Sequence, residues 1–197
     1  MAVSLGGTSV REQQLWNTYM FWARQACDPH TMSNSALEIT KPRRRVQRSA
    51  DRFLQSVIFT AFAVEYRLKS VYEVLGISHR NRDTLGVLVR NFQHRVEMAQ
   101  RLDGTGRVRL PAEWKRIQKK LLKLNEARNQ IAHANYQQIL GTIPSNGRTA
   151  RRVAAGYFNA FVDLIRVTHR AIGNIAPSIS SPSKARSHYA SLKVRVP

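Results

Sequence analysis

An all-α fold, a helical bundle of about five helices, is predicted from three observations. Apolar residues recur at helical spacing in five stretches of the chain. No stretch shows the strict alternation of a half-buried strand. The Gly, Pro and Asn clusters fall between the periodic stretches, where helix ends need them. The 197 residues suit one domain, and a hydrophobic fraction of 43% is enough for a real core.

The first predicted helix covers about Val10 to Cys27, with Leu15, Trp16, Tyr19 and Trp22 at helical spacing, and ends before Asp28-Pro29. Residues 28–42 read as a loop, broken by Pro29, Ser33, Asn34, Ser35 and Pro42. The second and longest helix covers about Arg45 to Leu75, with Gly76 as its stop. Its apolar face is Leu54, Val57, Ile58, Ala61, Val64, Leu68, Val71, Tyr72 and Leu75. A third helix follows over about Thr84 to Gln100, with Asp83 as its cap. The turn Asp103-Gly104-Thr105-Gly106 separates it from a fourth, which starts near Pro111 and extends to Leu140. A fifth covers about Thr149 to Ile172, with Val153, Phe158, Phe161, Ile165 and Val167 as its apolar stripe. The expected organisation is an N-terminal helix and loop over 1–44, a helical domain over 45–176, and a basic, Ser-rich, mobile tail over 177–197.

Charge points to the partner. Lys and Arg total 32 against 12 Asp and Glu, a formal net charge of +20. Such a surface attracts polyanions, nucleic acid first and an anionic membrane surface second. The excess is dense at Arg43, Arg44, Arg45 and Arg48, and again at Lys115, Arg116, Lys119, Lys120 and Lys123. A charge run is usually a solvated face, but here acids do not balance it, and a phosphate track is the expectation. One cysteine, Cys27, allows no intramolecular disulfide and fits a reducing cytoplasm. The N-terminus lacks the pattern of a signal peptide, and no apolar run reaches 18 residues, so no membrane insertion is expected. The histidines show no metal-ligand spacing, and neither a P-loop nor a dinucleotide fingerprint occurs; no cofactor or metal is expected.

The chemistry concentrates in LNEARNQIAHANY on the fourth helix. Asn129 and His133, four apart, share a face. Arg128 and His133, five apart, lie about 140° apart around the helix, and both can border one cleft if the helix end points into it. Arg offers a forked cation matched to phosphate oxygens, His exchanges a proton near neutrality, and Asn can hold the imidazole or a phosphate oxygen. These are the parts needed to cleave RNA through its own 2′-hydroxyl. His133 could equally be a packed helix histidine, and Arg128 a surface ion-pair partner. Glu65 interrupts the apolar stripe of the second helix. Either it orients Arg128 or His133, or it pairs with Lys69 at i,i+4 or is partly exposed.

The run ARNQIAHAN resembles the signature of the HEPN superfamily, the higher eukaryotes and prokaryotes nucleotide-binding domain. That signature is an Arg, an adjacent polar residue, and a His after four to six intervening positions. Arg128, Asn129 and His133 match it, with four residues between Arg and His. SVIFTAFAVEYRLKSVYEVLGI is similar to the long apolar helix that precedes the motif, and the resemblance covers roughly residues 45–173. It implies a helical bundle that pairs into a homodimer around a shared cleft. It also implies a metal-independent endoribonuclease of the toxin–antitoxin, antiviral-defence or RNA-processing kind, with an antitoxin or other regulatory protein as a further partner. The alternative within the family is an inactive module that binds RNA or protein. One toxin branch carries a Tyr two residues after the His. Here Asn135 stands there and Tyr136 follows, a departure from that branch.

Overall fold

The computed structural model describes residues 44–80, 82–102, 110, 112–133, 143–144, 147–171 and 192–194, with side chains from residue 51 onward over most of them. Four helices run through these segments: α1, Arg44–Val74; α2, Leu85–Leu102; α3, Trp114–His133; and α4, Gly147–Ala171. No strand occurs among the described residues, so the fold is an all-α bundle. The helix expected over 10–27, the extension of α3 to residue 140 and most of the tail lie outside the described residues.

Each helix is amphipathic and turns its apolar stripe inward. α1 contributes Phe53, Val57, Ala61, Val64, Leu68, Val71 and Tyr72; α2 contributes Leu85, Leu88, Val89, Phe92 and Val96. α3 adds Trp114, Ile117, Leu121 and Leu124, and α4 adds Ala154, Phe158, Phe161 and Ile165. A fully buried side chain of this size is worth about 1.5–3 kcal/mol, which is why a 3.6-residue stripe decides the fold. α1 packs most extensively on α4, α3 also packs on α4, and α2 lies against α1 and α3.

The helix ends follow local chemistry. Gly76, at φ +63°, closes α1. Its N–H donates to the Glu73 carbonyl and that of Ile77 to the Tyr72 carbonyl, the paired bonds of a Schellman motif. Asp83 does not cap α2 as its position suggested. Its carboxylate instead accepts the Arg80 N–H at 3.3 Å and Arg95 Nη1 at 3.3 Å. The Thr84 carbonyl takes the first helical bond, from Leu88 N–H, so Thr84 is the cap position. Burial acts to raise the Asp83 pKa, but the Arg80 N–H and Arg95 outweigh it and hold the carboxyl below its ordinary value.

Polar contacts fix the helices against one another. The Tyr72 hydroxyl of α1 donates to the Leu88 carbonyl of α2 at 2.9 Å, and burial pushes its pKa up to about 12. Arg67 of α1 donates from Nε and Nη2 to Thr168 Oγ1 of α4, at 3.1 and 3.0 Å. Asp163 of α4 is buried among three cations: Lys193 at 2.7 Å, Arg166 at 3.5 Å and Arg116 of α3 at 3.9 Å. The Lys193 contact is an ion pair out of hydrogen-bond alignment. Arg166 also pairs with Glu113 just before α3.

Within the tail expected to be mobile, Leu192–Val194 is docked on α4. Asn159 Nδ2 donates to the Val194 carbonyl and Val194 N–H donates to Asn159 Oδ1, both at 2.9 Å. One amide side chain thereby satisfies both backbone groups of Val194.

Candidate functional site

α3 carries the site because it has two faces. Its buried stripe, Trp114, Ile117, Leu121, Leu124 and Ala127, leaves an arc of roughly 220° pointing away from the core. Along that arc lies an open groove of about 760 Å³, which Arg90 of α2 also borders. Its α3 lining is Lys115, Gln118, Lys119, Leu122, Lys123, Asn125, Glu126, Asn129, Gln130 and His133. The lining spans 19 residues of helix, a rise of about 27 Å. Four cations, Arg90, Lys115, Lys119 and Lys123, face one carboxylate, Glu126. None of these lysines makes an ion pair among the described residues. Basic residues occupy the start of the groove, and Asn129, Gln130 and His133 the end.

The motif residues separate as their angles dictate. Asn129 is half-buried and His133 exposed, and both line the groove. Arg128 does not line it. It follows Leu121 and Leu124 by seven and four residues, so it continues the core stripe and is half-buried. Arg128 Nη1 donates to Asn129 Oδ1 at 3.0 Å, which links the guanidinium to a groove residue. The bond also orients the Asn129 amide, leaving its Nδ2 to donate elsewhere.

The other expected binding residues divide. Lys115, Lys119 and Lys123 line the groove, four residues apart on one row. Lys120 is exposed but outside the lining, and Arg116 reaches toward Asp163 instead. Arg44, Arg45 and Arg48 belong to the first turns of α1, and their side chains, with all of Arg43, lie outside the described residues. Glu65 takes the second of its two readings: Lys69 Nζ donates to Glu65 Oε1 at 2.8 Å.

Of the groove residues that escaped the sequence reading, Arg90 and Asn125 meet at the α2–α3 contact. Arg90 Nε donates to the Gly86 carbonyl one turn earlier, which fixes its side chain along α2. Asn125 packs over Gly86, where a Cβ would lie 2.9 Å from its Nδ2, and its Oδ1 is buried without a hydrogen-bond partner. Gly86, inside the helical pattern LGVLV, was the available signal. A glycine within a helix costs stability and marks a close approach.

Among the described residues no group of three His, Cys, Asp or Glu is placed to hold a metal ion, and no helix is long and apolar enough to cross a membrane. The chain matches no protein-family model, no curated protein and no solved structure.

Proposed function

We propose that the chain binds RNA along the α3 groove and cleaves it, as an endoribonuclease of HEPN type, at the end of the groove that holds His133. The observation that carries this reading is the sharing of one groove by a lysine row and by Asn129 and His133. Lysines one turn apart repeat about every 6 Å along a straight helix and can each meet a backbone phosphate. His133 is solvent-exposed, as a group that must reach a substrate has to be. It would deprotonate the 2′-hydroxyl or protonate the leaving 5′-oxygen, and the tethered hydroxyl supplies the proximity. Arg128 would meet the charge that develops on the phosphoryl oxygens. This reading includes a homodimer in which a two-fold axis brings two helix ends, each with its Arg128, to one cleft. Toxin or defence action, with an antitoxin as partner, is the biological setting the motif suggests.

A second reading has its own support. Arg128 is spent on Asn129 and stands off the groove, which suits a module that binds RNA without cutting it. Incubation of the protein with total RNA, in excess chelator, separates the two. Cleavage to 2′,3′-cyclic phosphate ends, lost in His133→Ala, supports the nuclease. Binding without cutting by both proteins supports the module, and absence of binding removes both readings.

A further inference from the structure

α4 opens with GRTARR, and this turn is chemically odd. Its sequence places Arg148, Arg151 and Arg152 at the positive end of the helix dipole, and no acid stands in the first turn. Cations are unfavourable there and anions favourable. Arg148 and Arg152 are exposed, so water screens them. Arg151 is not: it is only 6% exposed, and its Nε is buried without a hydrogen-bond partner.

Among the described residues no carboxylate pairs with Arg151. The acid of α4, Asp163, is committed to Arg116, Arg166 and Lys193. It also lies twelve residues along, about 18 Å up the helix. A guanidinium cannot shed its proton, so burial without an anion is strongly unfavourable. Helical side chains lean toward the N-terminus of their helix. With that lean an Arg151 side chain reaches over the preceding turn, where the residue one turn earlier on its face is the buried Gly147. That glycine puts no side chain between the guanidinium and the first N–H groups of the helix, which have no intrahelical acceptors.

We propose that the first turn of α4 is a binding site for a phosphate group, with Arg151 as its buried cation. A tetrahedral phosphate has oxygens enough to take the guanidinium fork and helix N–H groups together. The group could be free inorganic phosphate or the terminal phosphate of a nucleotide. The site does not depend on the nuclease reading, since none of the groove residues belongs to it.

The test uses the full chain. Its melting temperature is measured with inorganic phosphate, with AMP, with adenosine, and with sodium chloride at matched ionic strength. Chloride reports the general screening of a protein of charge +20. Phosphate should raise the melting temperature by several degrees beyond chloride, increasing with concentration. Arg151→Met should lose that increment, and Lys119→Gln, in the groove, should keep it. In chloride alone Arg151→Met should melt no lower than the parent, because an apolar chain replaces an uncompensated charge. Phosphorus NMR gives a second readout: the inorganic phosphate line should broaden with the parent and stay sharp with Arg151→Met. Displacement of phosphate by AMP, but not by adenosine, would assign a nucleotide; displacement by neither would assign free phosphate. An equal rise in chloride and phosphate would overturn the site, as would an Arg151→Met protein that keeps the increment. A variant that unfolds in chloride would also overturn it, by showing that Arg151 is held by the chain itself.

Discussion

Gly86→Ala tests whether the α2–α3 contact shapes the groove. The added Cβ would stand 2.9 Å from Asn125 Nδ2, and 3.3 Å from Asn125 Cγ and Arg90 Nη2, where ordinary contact begins at 3.4 Å. Two effects oppose each other. Alanine gains about 1 kcal/mol over glycine inside a helix. Overpacking costs about 1–3 kcal/mol when the neighbour cannot retreat. Arg90 can retreat, because it is exposed; Asn125 cannot do so freely, because it is half-buried with Oδ1 enclosed. Taking about 2 kcal/mol for the clash, the net loss is about 1 kcal/mol, or a melting temperature lower by about 3 °C. In an Asn125→Ala background the clash is gone, and Gly86→Ala should then stabilise by about 1 kcal/mol. The coupling energy in the double-mutant cycle is therefore about 2 kcal/mol. Chemical denaturation of the four proteins measures it. RNA affinity of Gly86→Ala should fall as well, because both residues that must move line the groove. An additive cycle would refute the contact, and unchanged RNA affinity would refute its link to the groove.

Three further outcomes are expected. Tyr72→Phe should cost about 1 kcal/mol by urea denaturation, because the buried bond to the Leu88 carbonyl is removed. The same phenol sets an alkaline limit: its folded pKa, near 12, lies above its ordinary value, so its contribution is complete below pH 10 and lost as pH rises through 12. Denaturation of the Phe variant should be flatter across that window. At the acid end the shift is reversed. The Asp83 pKa is lowered, so its contribution is present above the ordinary carboxylate range and lost as pH falls through the folded value; Asp83→Asn should flatten that limb of a stability-against-pH curve. Asp163→Asn should cost about 2 kcal/mol, less than a sealed ion pair because Arg116 and Lys193 can turn to water. It should also make the tail around Leu192–Val194 more sensitive to protease.

The helices were legible because the physics that forms them is periodic and local. The observed α1 starts and ends within one residue of its expected span, since Gly76 must supply the positive φ that stops it. The motif was legible as a spacing, but the surroundings of each residue were not: Arg128 and His133 were expected to border one cleft, yet at about 140° apart only His133 lines the groove and Arg128 continues the core stripe. What pattern could not show were choices between partners. Asp83 had a cap position, but Arg95, twelve residues on, lay within reach and took its carboxylate. Glu65 had two readings, and a lysine one turn away settled it. Arg116 belonged to a lysine-rich run in the sequence, yet Asp163 of another helix drew it from the row. Arg90 and Asn125 enter the groove only because α2 and α3 meet at Gly86, and a contact between helices has no periodicity to read.

The surplus charge gains its meaning from where the acids go. Glu65 is held by Lys69 and Asp83 by Arg95, and Glu73 lies 3.4 Å from His79. Glu97 accepts from Gln93, Glu113 pairs with Arg166, and Asp163 gathers three cations. Most of the described acids are thus committed within α1 and α2 or across the α3–α4 contact. On the outward arc of α3 only Glu126 remains opposite Arg90, Lys115, Lys119 and Lys123. The groove therefore carries a local excess of three positive charges, along a helix face about 27 Å long. If that face is a phosphate track, Lys115→Gln, Lys119→Gln and Lys123→Gln together should reduce the slope of log K against log salt by about 2, since each phosphate of a single strand left without its lysine removes about 0.7. Anisotropy titrations of a fluorescent single-stranded RNA from low to physiological salt measure the slope. The weakening should be nearly equal for RNAs of different sequence, because lysines on phosphates read charge and not bases. A slope unchanged by the triple substitution would place the RNA elsewhere on the protein. A weakening confined to one sequence would mean that these lysines contact bases.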